Sequence, residues 1–355
     1  MNDSREWGRT VYFLGAGASK SICPWLPVAS ELTLGKLADR QAYPFETPPG
    51  QAVSELATFL DKWAEGEKHR DVPLEESLHV LRTADPYQYG LVHHCLGMRL
   101  AVGAYEHRPY SGIETWLNFV RDRHDVIVTT NYDTLIECAH ANMPPGELRD
   151  SLHCLDFGVY KQRKHEFSRA NSWPGARIAS VPLLKLHGSI SWLYCDRCGT
   201  YMLDPVWNRA LDAVARPGAY SPCPVCKRQG TRRPVLVPPV RQKELTDCAI
   251  KEIWQAAGQA LCEAEEIVFA GFSLNKNDAA ARELLRMAFQ VGRTRRVTVV
   301  DRNWKPLEEN YRAIYGGAVE SAAQADWRAF LDESFSPAEQ NKKGRPPVAD
   351  GPSTL

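Results

Sequence analysis

No run of this sequence is apolar for anything near the roughly 18 residues needed to cross a bilayer, so a membrane-embedded role is not expected. An excess of one charge is also missing, since 43 Lys and Arg face 43 Asp and Glu and the formal net charge is zero. Without a long-range field to gather nucleic acid regardless of sequence, direct nucleic-acid binding is not indicated. The chain has no internal repeat. Met1 to Thr10 are polar and mixed in charge, with no apolar stretch behind a basic cluster, so no secretory signal is read and a cytoplasmic location is expected.

What is present belongs to a folded protein. The hydrophobic fraction is 44% and the charged fraction 24%, and 355 residues suffice for one large domain or two modest ones. The ten cysteines are too dilute for a disulfide scaffold. Six of them (Cys23, Cys95, Cys138, Cys154, Cys248 and Cys262) are scattered singly and read as small buried apolar residues. The other four form two knuckles, Cys195-Asp-Arg-Cys198 and Cys223-Pro-Val-Cys226, separated by 24 residues.

Short apolar runs recur at 11–14, 125–130, 183–186, 235–237, 267–270 and 297–300, each with the character of a buried strand. Helical spacing lies between them at 54–64, 74–82, 113–121, 251–264 and 279–289. The alternation predicts an α/β fold, a Rossmann-like, mostly parallel sheet with helices on both faces. About 110 residues separate the first two strands, far more than one crossover needs, so a helical insertion is expected over 21–123, divided by the proline-rich loop 41–50. Residues 142–180 show no clean period, and a polar tail is expected over 335–355. The remaining chain, 1–334, reads as one catalytic domain, with a small cysteine module inserted at 192–234.

Five segments carry candidate chemistry. In the first, a strand runs into Gly15-Ala16-Gly17-Ala18-Ser19, where glycines let backbone N–H groups approach a pyrophosphate; a plain tight turn fits equally well. The second strand ends in Thr130-Asn131-Tyr132-Asp133, placing an amide and a carboxylate where open α/β sheets bind ligands, although Asp133 also suits a helix cap. The third is Leu186-His187-Gly188-Ser189, which ends a strand in histidine, a residue type whose unperturbed pKa suits a general base near neutral pH. The fourth is the four-cysteine set, with spacing close to that of tetrahedral zinc sites; four protein ligands make such a site structural. In the fifth, Gly271-Phe272-Ser273-Leu274-Asn275-Lys276-Asn277-Asp278 follows one strand, and Asp301 ends the next, where a carboxylate holds a ribose hydroxyl in dinucleotide-binding folds.

Taken in order, G-A-G-A-S at 15–19, T-N-Y-D at 130–133, L-H-G-S at 186–189, the paired knuckles, G-F-S-L at 271–274 and the strand ending at Asp301 resemble the sirtuin superfamily over roughly residues 10–330. The resemblance implies a Rossmann-like NAD-binding domain carrying a helical module and a zinc module. It implies that Gly15, Ala16, Gly17 and Ser19 hold the NAD pyrophosphate and that Asn131 and Asp133 line the nicotinamide-ribose pocket. It further implies that His187 is the catalytic histidine, that Gly271, Ser273 and Asp301 contact the adenosine half, and that Cys195, Cys198, Cys223 and Cys226 bind zinc.

The chain departs from sirtuin deacylases in two places. Tyr132 stands where isoleucine is usual, and Pro238-Pro239 stand where a V-x-F-G-E segment pairs with the acyl-lysine peptide. Prolines remove the backbone donors that pairing requires. These variants resemble the sirtuin-like NAD hydrolases of bacterial anti-phage defence, which implies an NAD glycohydrolase releasing nicotinamide and ADP-ribose. The alternatives are an NAD-dependent protein deacylase or ADP-ribosyltransferase, and a non-enzymatic sensor of NAD or ADP-ribose. An NAD-destroying enzyme endangers its own cell, so control by a homo-oligomer or a separately encoded activating partner protein is expected.

Overall fold

A computed structural model describes residues 8–42, 50–63, 66–105, 111–141, 155–157, 181–195, 197–199, 201–203, 223, 225–228, 232–237, 248–274, 278–323 and 325–335. Most of the irregular stretch expected at 142–180, apart from 155–157, lies outside these residues, as do Pro238, Pro239 and nearly all of the polar tail.

Five of the predicted strands form the middle of one sheet: β1 (Thr10–Leu14), β2 (Val126–Thr129), β4 (Val181–Lys185), β8 (Glu266–Ala270) and β9 (Arg296–Val300). With β3 (Leu155–Asp156) and β10 (Val319–Ala323) at the edges, the seven strands run in the order β10-β9-β8-β1-β2-β4-β3. All six pairings are parallel. The central strands lack an apolar–polar alternation because helices cover both faces. β1 shows how this works. Tyr12 meets Trp116 and Trp327 edge-on at 5.3 and 6.2 Å on one face, while Phe13 packs on Phe269 and Phe272 at 5.4 and 4.7 Å on the other. Each such fully buried ring is worth about 1.5–3 kcal/mol over its exposed state.

The helices follow the expected order. α1 (Ala16–Ile22) leaves β1, and α2 (Leu34–Ala38), α3 (Gly50–Lys62), α4 (Gly66–Arg70), α5 (Leu74–Ala84) and α6 (Pro86–Tyr105) build the helical insertion. α7 (Ser111–Arg123) returns to the sheet, carrying Trp116. α8 (Leu135–Ala141) follows β2, and α9 (Cys248–Glu263), α10 (Ala279–Val291), α11 (Trp304–Tyr315) and α12 (Trp327–Ser334) complete the covering layers. Side-chain caps set several of their starts: Thr33, Asp278 and Asp326 accept from the backbone N–H three residues on.

One predicted strand belongs elsewhere. The run at 235–237 falls in β7 (Arg232–Leu236), which pairs antiparallel with β5 (Gly188–Cys195) in a separate three-stranded sheet with β6 (Tyr201–Leu203). The cause is Gly188, at φ +79°, which turns the chain out of β4 after only two residues. A Cβ there would lie 2.1 Å from the Val235 carbonyl oxygen, so glycine also permits the closing contact with β7.

Strand order locates the binding crevice. From β1 the chain moves through β2 to β4 on one side, then crosses to β8, β9 and β10 on the other. The reversal falls between β1 and β8, and ligands of such sheets bind outside the carboxyl ends of the strands at that point.

Candidate active site

At the reversal the β1–α1 turn and the end of β8 lie in backbone contact. Gly15 N–H donates to the Ala270 carbonyl at 2.9 Å and Gly17 N–H to the Gly271 carbonyl at 3.0 Å. A Cβ on Gly15 would sit 2.5 Å from Gly271 O, and one on Gly271, already at φ +55°, would sit 2.1 Å from Ala18 N. The resemblance assigned Gly15 and Gly17 to pyrophosphate contact and Gly271 to the adenosine half. In the structure their bareness also lets two turns interlock, and at least the Gly15 and Gly17 N–H groups have protein acceptors.

Asn131, buried just beyond β2, ties the next loop to that turn. Its Nδ2 donates to Gly15 O at 2.9 Å and to Ser19 Oγ at 3.0 Å, and its own N–H is held by Thr129 Oγ1 at 3.0 Å. Both amide hydrogens are thereby committed, which leaves Oδ1 as the part of the amide with accepting capacity. Asp133 Oδ1 accepts from Leu135 N–H at 3.0 Å, the helix-capping behaviour weighed for it in the sequence. The ring of Tyr132 lies 5.8 Å from that of His187, and its hydroxyl donates to the Val237 carbonyl at 2.8 Å, bridging the β2 loop to the end of β7.

His187 occupies the turn between β4 and β5 and is almost fully buried. The turn is held from all sides: Leu186 N–H donates to Thr129 O at 2.9 Å, Val237 N–H to His187 O at 2.9 Å, and the Trp254 indole of α9 to Leu186 O at 2.8 Å. Its Nε2 lies 3.0 Å from Oδ2 of Asp278, which is equally buried. Asp278 and Trp254 were absent from the expected site. Asp278 ends the quoted segment 271–278 and reads locally as a helix cap, a role it also fills through Ala281 N–H at 3.3 Å. No local signal could announce its pairing with a histidine on a distant strand end.

Beneath this layer lies a buried ion pair. Lys185 Nζ reaches Glu137 Oε1 at 2.7 Å and also donates to the Asp133 carbonyl. Ser189 Oγ approaches the same Glu137 oxygen at 3.5 Å and Ser191 Oγ at 3.0 Å, while Glu137 Oε2 has no partner among the described residues. Burial raises the Glu137 carboxyl above its usual range, and Lys185 opposes that shift. The pair pins the loop bearing Tyr132 and Asp133 to the strand that delivers His187.

The remaining expected residues stand at the same edge without converging on His187. Ser273 is exposed beyond β8, and Asp301 at the end of β9 accepts from Asn303 N–H at 2.7 Å. Ala16 opens α1.

The four knuckle cysteines come together. Their sulfurs all lie within 4.8 Å of one another, with Cys195–Cys226 at 3.7 Å and Cys198–Cys223 at 3.6 Å. Thiolates 2.3 Å from a tetrahedral zinc would be spaced about 3.8 Å apart, so this arrangement fits that ion. The two knuckles fold alike, since Gly199 N–H donates to Cys195 O and Lys227 N–H to Cys223 O, each at 2.8 Å. Gly199 and Lys227 both have positive φ, +72° and +57°.

No family model matches the sequence and no curated protein is similar to it. Solved structures are similar in fold. A serine-to-alanine mutant of a Sir2 homologue in complex with ADP-ribose is 12% identical, covers 96% of this chain and 95% of its own, and has a TM-score of 0.50. A histidine-to-asparagine mutant complex with ADP-ribose gives 12%, 96%, 95% and 0.49. A Sir2 homologue complex with NAD gives 13%, 94%, 91% and 0.47. At 12% identity the first of these shows the fold alone, a Sir2-like Rossmann fold. Among the described residues no helix is long and apolar enough to cross a membrane.

Proposed function

We propose that this protein is an NAD glycohydrolase, cleaving NAD to nicotinamide and ADP-ribose as an NAD-depleting effector of the kind that serves bacterial anti-phage immunity. The observation that carries the reading is the meeting of Asn131 with the glycine turn, beside a carboxylate-paired His187, at the reversal point of a Sir2-like sheet. Gly15, Ala16, Gly17 and Ser19 face the pyrophosphate in this proposal, and Gly271, Ser273 and Asp301 face the adenosine half.

The chemistry asks little of an acid. Nicotinamide in NAD is already cationic and leaves without being protonated, so the protein has to stabilise an oxocarbenium-like ribose and deliver a water. Asn131 Oδ1 accepts a hydrogen bond from that water and His187 takes its proton, while Asp133 adds negative charge beside the cationic sugar. Water adds to C1′ of the ribose as the bond to nicotinamide breaks, and the proton passes through His187 to solvent.

Hydrolysis is favoured over protein deacylation by Tyr132. Its ring stands against His187 and its hydroxyl occupies the Val237 carbonyl, so the gap between the β2 loop and β7 is bridged where an extended peptide would enter. The four thiols hold a structural zinc, outside the reaction.

Incubation with NAD, with and without an acyl-lysine peptide, tests the reading through nicotinamide release. We expect release that is independent of peptide. His187→Ala and Asn131→Ala should each lower turnover by about 100-fold or more, with the melting temperature of each variant measured alongside, so that a folded but inactive protein is told apart from one that has merely unfolded. Wild-type turnover in His187→Ala would sink the mechanism. External control is tested by expressing the chain alone, where cellular NAD should stay normal until a partner or infection activates the enzyme.

A further inference from the structure

We infer that Asp278 is the positioning residue of His187, fixing its tautomer and stabilising its protonated form. The inference deepens the glycohydrolase reading and rests on it for its kinetic consequence. Its structural half stands on the geometry alone.

The two side chains come from opposite sides of the strand-order reversal, His187 from the β4–β5 turn and Asp278 from the start of α10. Nε2 and Oδ2 are 3.0 Å apart, and the side chains retain only 3% and 5% exposure. At that distance and burial the carboxylate calls for a proton on Nε2, so the neutral ring carries its lone pair on Nδ1. A proton gained there converts the pair into imidazolium and carboxylate, which attract strongly where water is excluded. Asp278 is itself immobilised, because its other oxygen caps α10 through Ala281 N–H. A carboxylate held by a helix start and aimed at an imidazole gives a general base one orientation and one tautomer.

Among the described residues, Tyr132 and Lys185 do not supply this. Tyr132 offers its ring and spends its hydroxyl on Val237 O. Lys185, two residues before His187, spends its charge on Glu137 and the Asp133 carbonyl. A helix cap alone would explain Asp278 without any histidine, and that bland account makes a different prediction. Asparagine caps helices as well as aspartate does, so under it Asp278→Asn is silent.

The test therefore compares Asp278→Asn and Asp278→Glu with wild type in the full chain. In Asp278→Asn we expect turnover to fall about 100-fold or more with a nearly unchanged KM, the melting temperature to hold, and the acid limb of the pH profile to move to lower pH. Asp278→Glu should restore part of the lost rate. The titration of the His187 ring, followed by NMR, should shift to lower pH in Asp278→Asn with no substrate present. Unchanged titration together with wild-type turnover overturns the inference. A shifted titration in a protein that never releases nicotinamide supports the pairing and overturns the glycohydrolase reading instead.

Discussion

The strand-end loops of the large sheet and the cysteine module are both built from turns, yet different forces hold them. Around His187 the turns are fastened by bonds internal to the chain, from the interlocked Gly15 and Gly271 to the Trp254 indole on Leu186 O and the buried Lys185–Glu137 pair. In the module the described knuckle residues are closed by a few backbone bonds, Gly199 N–H to Cys195 O, Lys227 N–H to Cys223 O and Cys223 N–H to Arg228 O, around four sulfurs that face one another. The first region is held by bonds within the chain, whereas the second brings together four sulfurs that could hold a metal ion.

Metal removal should separate the two most sharply. Structural zinc contributes on the order of 10 kcal/mol to small thiolate sites, so chelation, or joint replacement of Cys223 and Cys226 by serine, should strip hydrogen-exchange protection from β5, β6 and β7. The parallel sheet should keep its protection, and metal analysis of the intact protein should find about one zinc per chain. Equal protection in both regions of a metal-free protein would abolish the contrast.

A smaller effect is expected within the large sheet. Lys185→Met leaves the Glu137 carboxylate buried without its partner, a loss of about 3–5 kcal/mol, read as a lower urea midpoint. Adding Glu137→Gln should recover much of it, because the uncompensated charge disappears. If the double variant is no better than the single one, the pair acts through packing rather than charge.

The mildest perturbation is acid. Burial pushes His140, on α8 behind the Asp133 loop, and His94, on α6 of the insertion, down to about 4. Their unfolded values lie near 6.5, so between the two values the unfolded chain binds more protons and stability falls as pH falls. From pH 7 to pH 5 each should cost roughly 2 kcal/mol. His140→Phe should flatten that slope if the ring fits, and an unchanged slope would show that His140 is not buried as a neutral base.

The parallel strands were legible because a strand covered on both faces is written as an unbroken apolar run, as in Val126–Thr129 and Val297–Val300. α6 was not, since its many buried residues, Leu91 through Leu96 among them, leave no polar stripe to reveal a helical period. β10 was missed because Val319–Ala323 is an edge strand of small and polar residues. In the site, residues at strand ends could be named from the sequence, since strand ends are where open sheets bind. Partners such as Asp278, Trp254 and the Lys185–Glu137 pair could not, because they join segments far apart in the chain and local patterning carries no record of such contacts.

The interlocked glycines bear on how such turns are read in other sequences. Gly15 and Gly17 exclude side chains because each would strike the backbone at Gly271, and Gly271 because it would strike the backbone at Gly17 and Ala18, so each turn constrains the other. Packing alone is enough to preserve that signature, even in a descendant that has ceased to bind a nucleotide. A glycine-rich strand–helix turn of this kind therefore testifies first to how two strand ends were brought together, and its witness about a ligand has to be corroborated by groups, such as Asn131 and His187, that the packing does not itself demand.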